Sequence, residues 1–143
     1  MNSKIIPYGK QNITQEDIDA VCIALKGDFL TQGPTILEFE KKFSNYIGCK
    51  YSIAVANGTA ALHLSTLALN LQKGDKVITT PLTFAASANC IRYCQGEVLF
   101  ADIDPLTYLI DLDKVEQIIL SQPFGSVKGI IPVDFAGRAV DME

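Results

Sequence analysis

Three short stretches carry the residue types that bind a charged or planar ligand. The first is Ala56-Asn57-Gly58-Thr59-Ala60-Ala61. Gly58 lets the backbone come close to a ligand. Thr59 and Ala60 set free amides and a hydroxyl at a helix N-terminus, where the dipole favours an anion. Such a turn is a phosphate cup, and it is equally an ordinary Asn-Gly-Thr turn with an N-cap. It is neither a GxxxxGK[ST] loop nor a GxGxxG fingerprint. The second stretch is Thr79-Thr80-Pro81-Leu82-Thr83-Phe84-Ala85-Ala86-Ser87-Ala88-Asn89. Phe84 falls in the first turn of a helix among small neighbours, so its ring either stacks on a planar ligand or packs as core. Ala85, Ala86 and Ala88 equally allow a helix to lie close on a sheet. The third, Val133-Asp134-Phe135-Ala136-Gly137, sets the Asp134 carboxylate at the end of a strand, as an N-cap or as a polar group aimed into the same mouth.

Other chemistry-bearing residues read as structural. Asp102, Asp104, Asp111 and Asp113 lack the spacing of a calcium loop, and Asp111 is placed to cap a helix. The cysteines Cys22, Cys49, Cys90 and Cys94 form no CxxC pair, and His63 is the sole histidine, so no zinc site is expected. Cys90 and Cys94 share one helix face between apolar residues and are expected to be a reduced, half-buried pair.

The elements that must position these residues follow from periodicity. Thr14 and Asp17 form a capping box with Asp in place of Glu, and Ile18, Val21, Cys22 and Leu25 continue at helical spacing, predicting a helix over about 15–26. Gly27 ends it. Residues 28–33 connect to a second helix opened by Pro34, with Ile36, Phe39, Phe43, Tyr46 and Ile47 on one stripe. Phe29 and Leu30 in that connector either pack on the helix pair or cover a ligand or a partner subunit. After Gly48 the pattern becomes βαβαβαβ, which predicts a parallel sheet with crossovers. Strands are expected at 52–56, 76–80, 97–101 and 128–133, with helices at 59–71, 84–94 and 111–120. The helix beginning at Thr59 is apolar all round and should be buried on several sides.

The whole sequence has 143 residues, 48% hydrophobic and 20% charged, which is one domain's worth and excludes a disordered or low-complexity chain. A net charge of −4 without any basic run argues against nucleic acid. No apolar run approaches a membrane span and the start has no signal-peptide core, so a cytoplasmic setting is expected. The sequence stops just after a strand, at what reads as the start of another helix, where a complete α/β domain rarely ends; a piece of a longer chain is therefore expected.

Taken in order, a larger set of residues makes a specific pattern. It comprises Tyr8 with Gln15-Glu16-Asp17-Ile18, Leu30-Thr31-Gln32-Gly33-Pro34 with Phe39-Glu40, and Asn57-Gly58-Thr59-Ala60-Ala61-Leu62. It continues through Thr80 to Asn89 and Asp102-Ile103-Asp104 with Ile110-Asp111. On these motifs the segment from Tyr8 to Glu143 resembles the N-terminal part of the pyridoxal-phosphate-dependent sugar-nucleotide aminotransferases, the DegT/DnrJ/StrS family. The resemblance implies an α/β fold, the N-terminal part of the fold type I large domain found in aspartate aminotransferase, with a mostly parallel sheet and helices on both faces. It divides the chain into residues 1–48, a helical arm with a substrate loop, and residues 49–143, an incomplete cofactor-binding large domain.

The resemblance also implies the site. Gly58, Thr59 and Ala60 would hold the phosphate of pyridoxal 5′-phosphate, Phe84 would stack on its ring, and Asp134 would lie near it. Tyr8, Asp28, Phe29, Leu30 and Thr31 would contact a nucleotide-sugar substrate, often across the interface of a homodimer. An amino-acid donor, glutamate, would supply the nitrogen, and the acceptor would be a UDP-linked 4-keto-6-deoxy amino sugar. In the family the Schiff-base lysine, and the aspartate that pairs with the ring nitrogen, lie beyond the position of Glu143. None of the lysines present sits where burial would lower its pKa, so the segment alone is expected to be inactive. A dehydratase of the same family and a non-catalytic α/β binding domain remain the alternatives.

Overall fold

The computed structural model describes residues 9–142, and the chain divides into two compact units between Ala54 and Val55. The expectation for Tyr8 lies outside the described residues.

The first unit is built on two helices. Helix α1, Gln15–Leu25, starts at the capping box: the Asp17 amide donates to the Thr14 hydroxyl, and the Asp17 carboxylate accepts from the Thr14 amide at 2.8 Å. The bonds that the carboxylate accepts from the Thr14 amide and the Thr14 hydroxyl lower the Asp17 pKa, because they favour the charged form. Helix α2, Pro34–Ile47, has Pro34 in its first turn and ends at Gly48, whose φ of 80° supplies the left-handed stop. The predicted apolar stripes are present but remain exposed, from Ile18, Val21 and Leu25 on α1 to Phe39, Phe43 and Tyr46 on α2. Phe39 and Phe43 pack on each other, with ring centroids 5.9 Å apart.

Residues 52–56 do not form the predicted strand. A strand needs a neighbouring backbone, and this segment is bonded to a helix residue instead. The Ser52 hydroxyl donates to the Glu40 carbonyl, and the Ala54 amide donates to the Glu40 carboxylate at 2.8 Å. A run of β-favouring residues is thus held extended without a ladder.

The second unit is a three-stranded parallel sheet in the order β2-β1-β3, with β1 at Lys76–Thr79, β2 at Glu97–Phe100 and β3 at Val127–Ile131. The sheet starts one strand later than the βαβαβαβ expectation. The connection from β1 to β2 carries helix α4, Ala86–Tyr93, and that from β2 to β3 carries helix α5, Leu112–Ser121. The two crossovers run in opposite directions. One handedness for both therefore requires α4 and α5 to lie on opposite faces.

The core confirms that arrangement. Val77 is fully buried with Cys90 and Ile91 of α4, and with Leu62 and Leu71 against it. Its neighbour Ile78 is fully buried with Ala101, Ile110 and Val115 of α5. Alternation along one strand thus feeds two separate cores. Helix α3, Gly58–Ala68, packs beside α4, and His63 meets Tyr93 edge-on at 5.3 Å. The expectation that α3 is buried on several sides is corrected, because Leu64 and Leu67 are about half exposed and Thr66 is its one buried residue. Apolar composition records what a helix tolerates against it, not what stands there.

The acidic and cysteine residues take structural places. Asp111 caps α5 by accepting from the amides of Asp113 and Lys114, and the Asp104 carboxylate closes a turn by accepting from Leu106 and Thr107 at 2.9 and 2.7 Å. Among the described residues no cluster of His, Cys, Asp and Glu could hold a metal ion. Cys90 is buried and Cys94 half-buried, both free; burial, then the neighbouring Cys90, pushes the Cys94 thiol pKa up and makes it less reactive. Cys22 and Cys49 are exposed. No helix among the described residues is long and apolar enough to cross a membrane.

Candidate functional site

In an open α/β sheet, ligands bind outside the carboxyl ends of the strands, near the point where the connections reverse. That reversal here is at β1. The turn after β1 and the segment after β3 both leave its carboxyl end, and the N-terminus of α3 belongs to the same unit.

The start of α3 offers donors. A helix leaves its first amides without intrahelical acceptors. Asn57 caps α3: its side-chain oxygen accepts from the Ala60 amide at 2.9 Å, and its carbonyl accepts from Ala61. The expectation of a free Ala60 amide is therefore corrected. The amides of Gly58 and Thr59 remain, with no acceptor among the described residues, beside the Thr59 hydroxyl. A methyl added at Gly58 would meet nothing within 4 Å, so the backbone there opens to solvent. Two free amides, a hydroxyl and the positive end of an eleven-residue helix suit an anion such as a phosphate.

The turn after β1 offers an aromatic face. Helix α4 begins at Ala86, two residues later than expected, which leaves Phe84 in the turn rather than in the helix. Its ring is 78% exposed, and among the described residues no aromatic ring packs on it. The core reading of Phe84 is thereby excluded within this unit. Below it, Thr79 and Thr80 are fully buried, and the Thr79 hydroxyl donates to the Ile131 carbonyl at 2.9 Å.

Asp134 follows β3 and is exposed. It makes no side-chain cap to the short 3-10 turn at Phe135–Gly137; its carboxylate accepts from the Val140 amide at 3.0 Å instead. The carboxylate therefore folds the following segment back toward the end of the strand. Phe135 lies against Tyr108, with centroids 5.9 Å apart.

In the first unit, Phe29 and Leu30 line a cavity of about 250 Å³ with Val21, Ala24, Leu25 and Ile36. Both also remain largely exposed, at 66% and 70%, so they partly pack down and partly stay available. Gly33, with φ of 113°, lets the connector turn tightly enough that an added Cβ would stand 2.8 Å from that of Phe29. Asp28 and Thr31 are exposed beside them. A larger cavity, about 550 Å³, is lined by Ile119, Leu120, Pro123, Phe124 and Val127. It lies at the amino end of β3, away from the strand-to-helix turns, and its walls are mostly apolar, with Gln122 as the polar side chain.

Reasoning from sequence missed one pair. The hydroxyls of Thr83 and Ser87 share a hydrogen bond of 2.8 Å across the start of α4. The available signal was two hydroxyl residues four apart at a turn-to-helix boundary. No lysine among the described residues is buried.

Comparison with known proteins covers nearly all of this. A model of the DegT/DnrJ/EryC1/StrS aminotransferase family matches residues 11–143. The UDP-4-amino-4,6-dideoxy-N-acetyl-beta-L-altrosamine transaminase of Campylobacter jejuni is 40% identical over 97% of this chain and 36% of its own. Among solved structures, Helicobacter pylori PseC, an aminotransferase involved in the biosynthesis of pseudoaminic acid, is 30% identical with a TM-score of 0.81, over 94% of this chain and 36% of that one. Spr1654 from Streptococcus pneumoniae in its PLP-form is 31% identical, also at 0.81, over 95% and 34%. The chain spans about a third of the length of the curated relatives it matches.

Proposed function

The chain belongs to the DegT/DnrJ/EryC1/StrS aminotransferase family, and from that premise we propose that it forms the phosphate-holding and ring-stacking part of a pyridoxal-phosphate-dependent sugar aminotransferase. The observation that carries this is the pair of free amides at Gly58 and Thr59 on a capped helix. Those amides and the Thr59 hydroxyl hold the phosphate, while Asn57 keeps Ala60 in helical geometry beneath it. Phe84 lays its exposed ring over one face of the pyridine, and Asp134 lies at the rim with its carboxylate already fixed by Val140. The bound cofactor supplies the electron sink that amino transfer requires. The chain's part is to fix the cofactor's phosphate and one face of its ring, so that the reacting end is presented in one orientation.

The substrate in this reading is a UDP-linked 4-keto-6-deoxy amino sugar, with glutamate as donor. Support for the sugar comes from the named activity of the Campylobacter relative and the role of PseC. Tyr8, Asp28, Phe29, Leu30 and Thr31 contact that substrate, and the exposed Phe29 and Leu30 fit a homodimer whose partner completes the site. In this reading residues 1–48 are the substrate-contacting arm, 49–143 belong to the cofactor-binding domain, and the setting is cytoplasmic. The test is to incubate this chain, carried at the full length of its relatives, with UDP-4-keto-6-deoxy-N-acetylhexosamines and glutamate and to follow 2-oxoglutarate release. Release that depends on both, and that falls at least about tenfold in Thr59→Val, supports the reading; dependence on a different sugar nucleotide overturns the substrate, and cofactor binding indifferent to Thr59 overturns the site.

A further inference from the structure

Phe84 combines an exposed ring with a backbone held on both sides. One residue does the holding. The amide of Ser87 donates to the carbonyl of Phe84 itself at 3.0 Å, and the hydroxyl of Ser87 bonds that of Thr83, the residue before Phe84, at 2.8 Å. Ser87 is only 7% exposed and belongs to the first turn of α4, and its own carbonyl accepts from the Cys90 thiol in the fully buried face of that helix. Upstream, the Thr83 amide is bonded to the Pro81 carbonyl and the Leu82 amide reaches the Thr80 hydroxyl at 3.4 Å. The turn is therefore stitched residue by residue from the end of β1 to the start of α4, while the ring itself touches no other aromatic group.

An exposed aromatic side chain normally samples several rotamers, and holding it for a ligand costs entropy at the moment of binding. Fixing the backbone to either side beforehand restricts the directions in which the ring can point. We propose that Thr83 and Ser87 are positioning residues: their shared hydrogen bond anchors the turn to the core through α4 and pre-orients Phe84 as a platform for a planar ligand. This rests on the reading of Phe84 as the ring that stacks on the cofactor. Neither Thr83 nor Ser87 touches the ligand in this scheme.

Thr83 is the end of the pair to change, because it is half-exposed and its substitution does not open the core. Thr83→Val keeps the shape and removes the hydroxyl; Thr83→Ser keeps the hydroxyl and serves as the rescue. Amide hydrogen exchange at Ser87 and ring-flip and relaxation measurements at Phe84 are made without ligand, and the dissociation constant for pyridoxal 5′-phosphate is measured by calorimetry. In Thr83→Val, exchange at Ser87 is expected to speed up and affinity to fall, each by about threefold to tenfold, the range for one lost neutral hydrogen bond; Thr83→Ser returns both to the parent values. Phe84→Ala separates the two levels. If it weakens binding while Thr83→Val changes neither exchange nor affinity, the platform stands and the positioning role is overturned. If Phe84→Ala leaves affinity unchanged, the platform reading falls and the positioning role falls with it.

Discussion

Thr79 and Ile131 are register partners at the last paired position of β1 and β3, and the Thr79 hydroxyl donates to the Ile131 carbonyl at 2.9 Å. The side chain satisfies a backbone oxygen at the edge of the candidate site, where the ladder runs out. Thr79→Val preserves the shape and removes the donor, leaving that carbonyl without this partner in a closed environment. The expected loss is about 1–3 kcal/mol of unfolding free energy, read as a lower urea midpoint at an unchanged slope. An unchanged midpoint would show that another donor takes its place.

Gly58→Ala separates folding from binding. Its φ is not in the left-handed region, and an added methyl meets nothing within 4 Å, so stability should stay within about 0.5 kcal/mol. The methyl would nevertheless occupy space beside the free amides. Affinity for pyridoxal 5′-phosphate is expected to fall by about tenfold or more, the effect of one charge-assisted contact. Undiminished affinity in a normally folded variant would remove Gly58 from the cup.

Gly96 lies where the chain turns into β2, and there the space is already taken. An added Cβ would stand 2.9 Å from the Ile91 Cγ2 and 3.0 Å from the Leu71 Cδ1, with the Ile91 carbonyl at 3.3 Å. Both side chains belong to the core around Val77, so neither can move aside freely. Gly96→Ala should therefore cost about 1–3 kcal/mol, measurable by thermal or chemical denaturation, whereas Gly125→Ala, with open space but φ of 75°, tests backbone strain alone.

Acid should loosen the turn at residues 104–109 before it unfolds the sheet. The amide and then the hydroxyl of Thr107 lower the Asp104 pKa, with smaller help from Leu106 and Arg138. A carboxyl depressed in the folded state stabilises it at pH above its unfolded value, and that contribution is lost as the pH falls through the depressed folded value. The Leu106 and Thr107 amide resonances should thus hold steady down through the usual carboxylate range and shift only below it. Titration at or above that range would contradict the assignment. Asp104→Asn should abolish the transition while keeping an acceptor in place.

The parts of the molecule that sequence made legible are those decided by neighbours in the chain. The Thr14–Asp17 box, Pro34 at the head of α2 and Asp111 on α5 all act over three or four residues. The βαβ pattern after Gly48 made the layered α/β arrangement legible too, and Val77 and Ile78 show how it builds two cores. What escaped depended on distant partners. Residues 52–56 have the composition of a strand, but Glu40, more than ten positions away, takes the Ala54 amide. Gly58, Thr59 and Phe84 were legible from their types; that Asn57 takes the Ala60 amide, and that Ser87 bonds both Phe84 and Thr83, is decided by three-dimensional geometry.

The strand order β2-β1-β3 also has a consequence for how the chain is made. As the polypeptide leaves the ribosome, β1 and β2 emerge close together and can pair around α4, but the strand that covers the other edge of β1 follows some 50 residues behind, the separation between Thr79 and Ile131. For that interval the most buried strand of the sheet presents an open row of backbone donors and acceptors, the kind of edge on which nascent chains pair with one another. Slower translation across residues 101–131 would lengthen that interval, and chaperones that shield strands in transit would guard it.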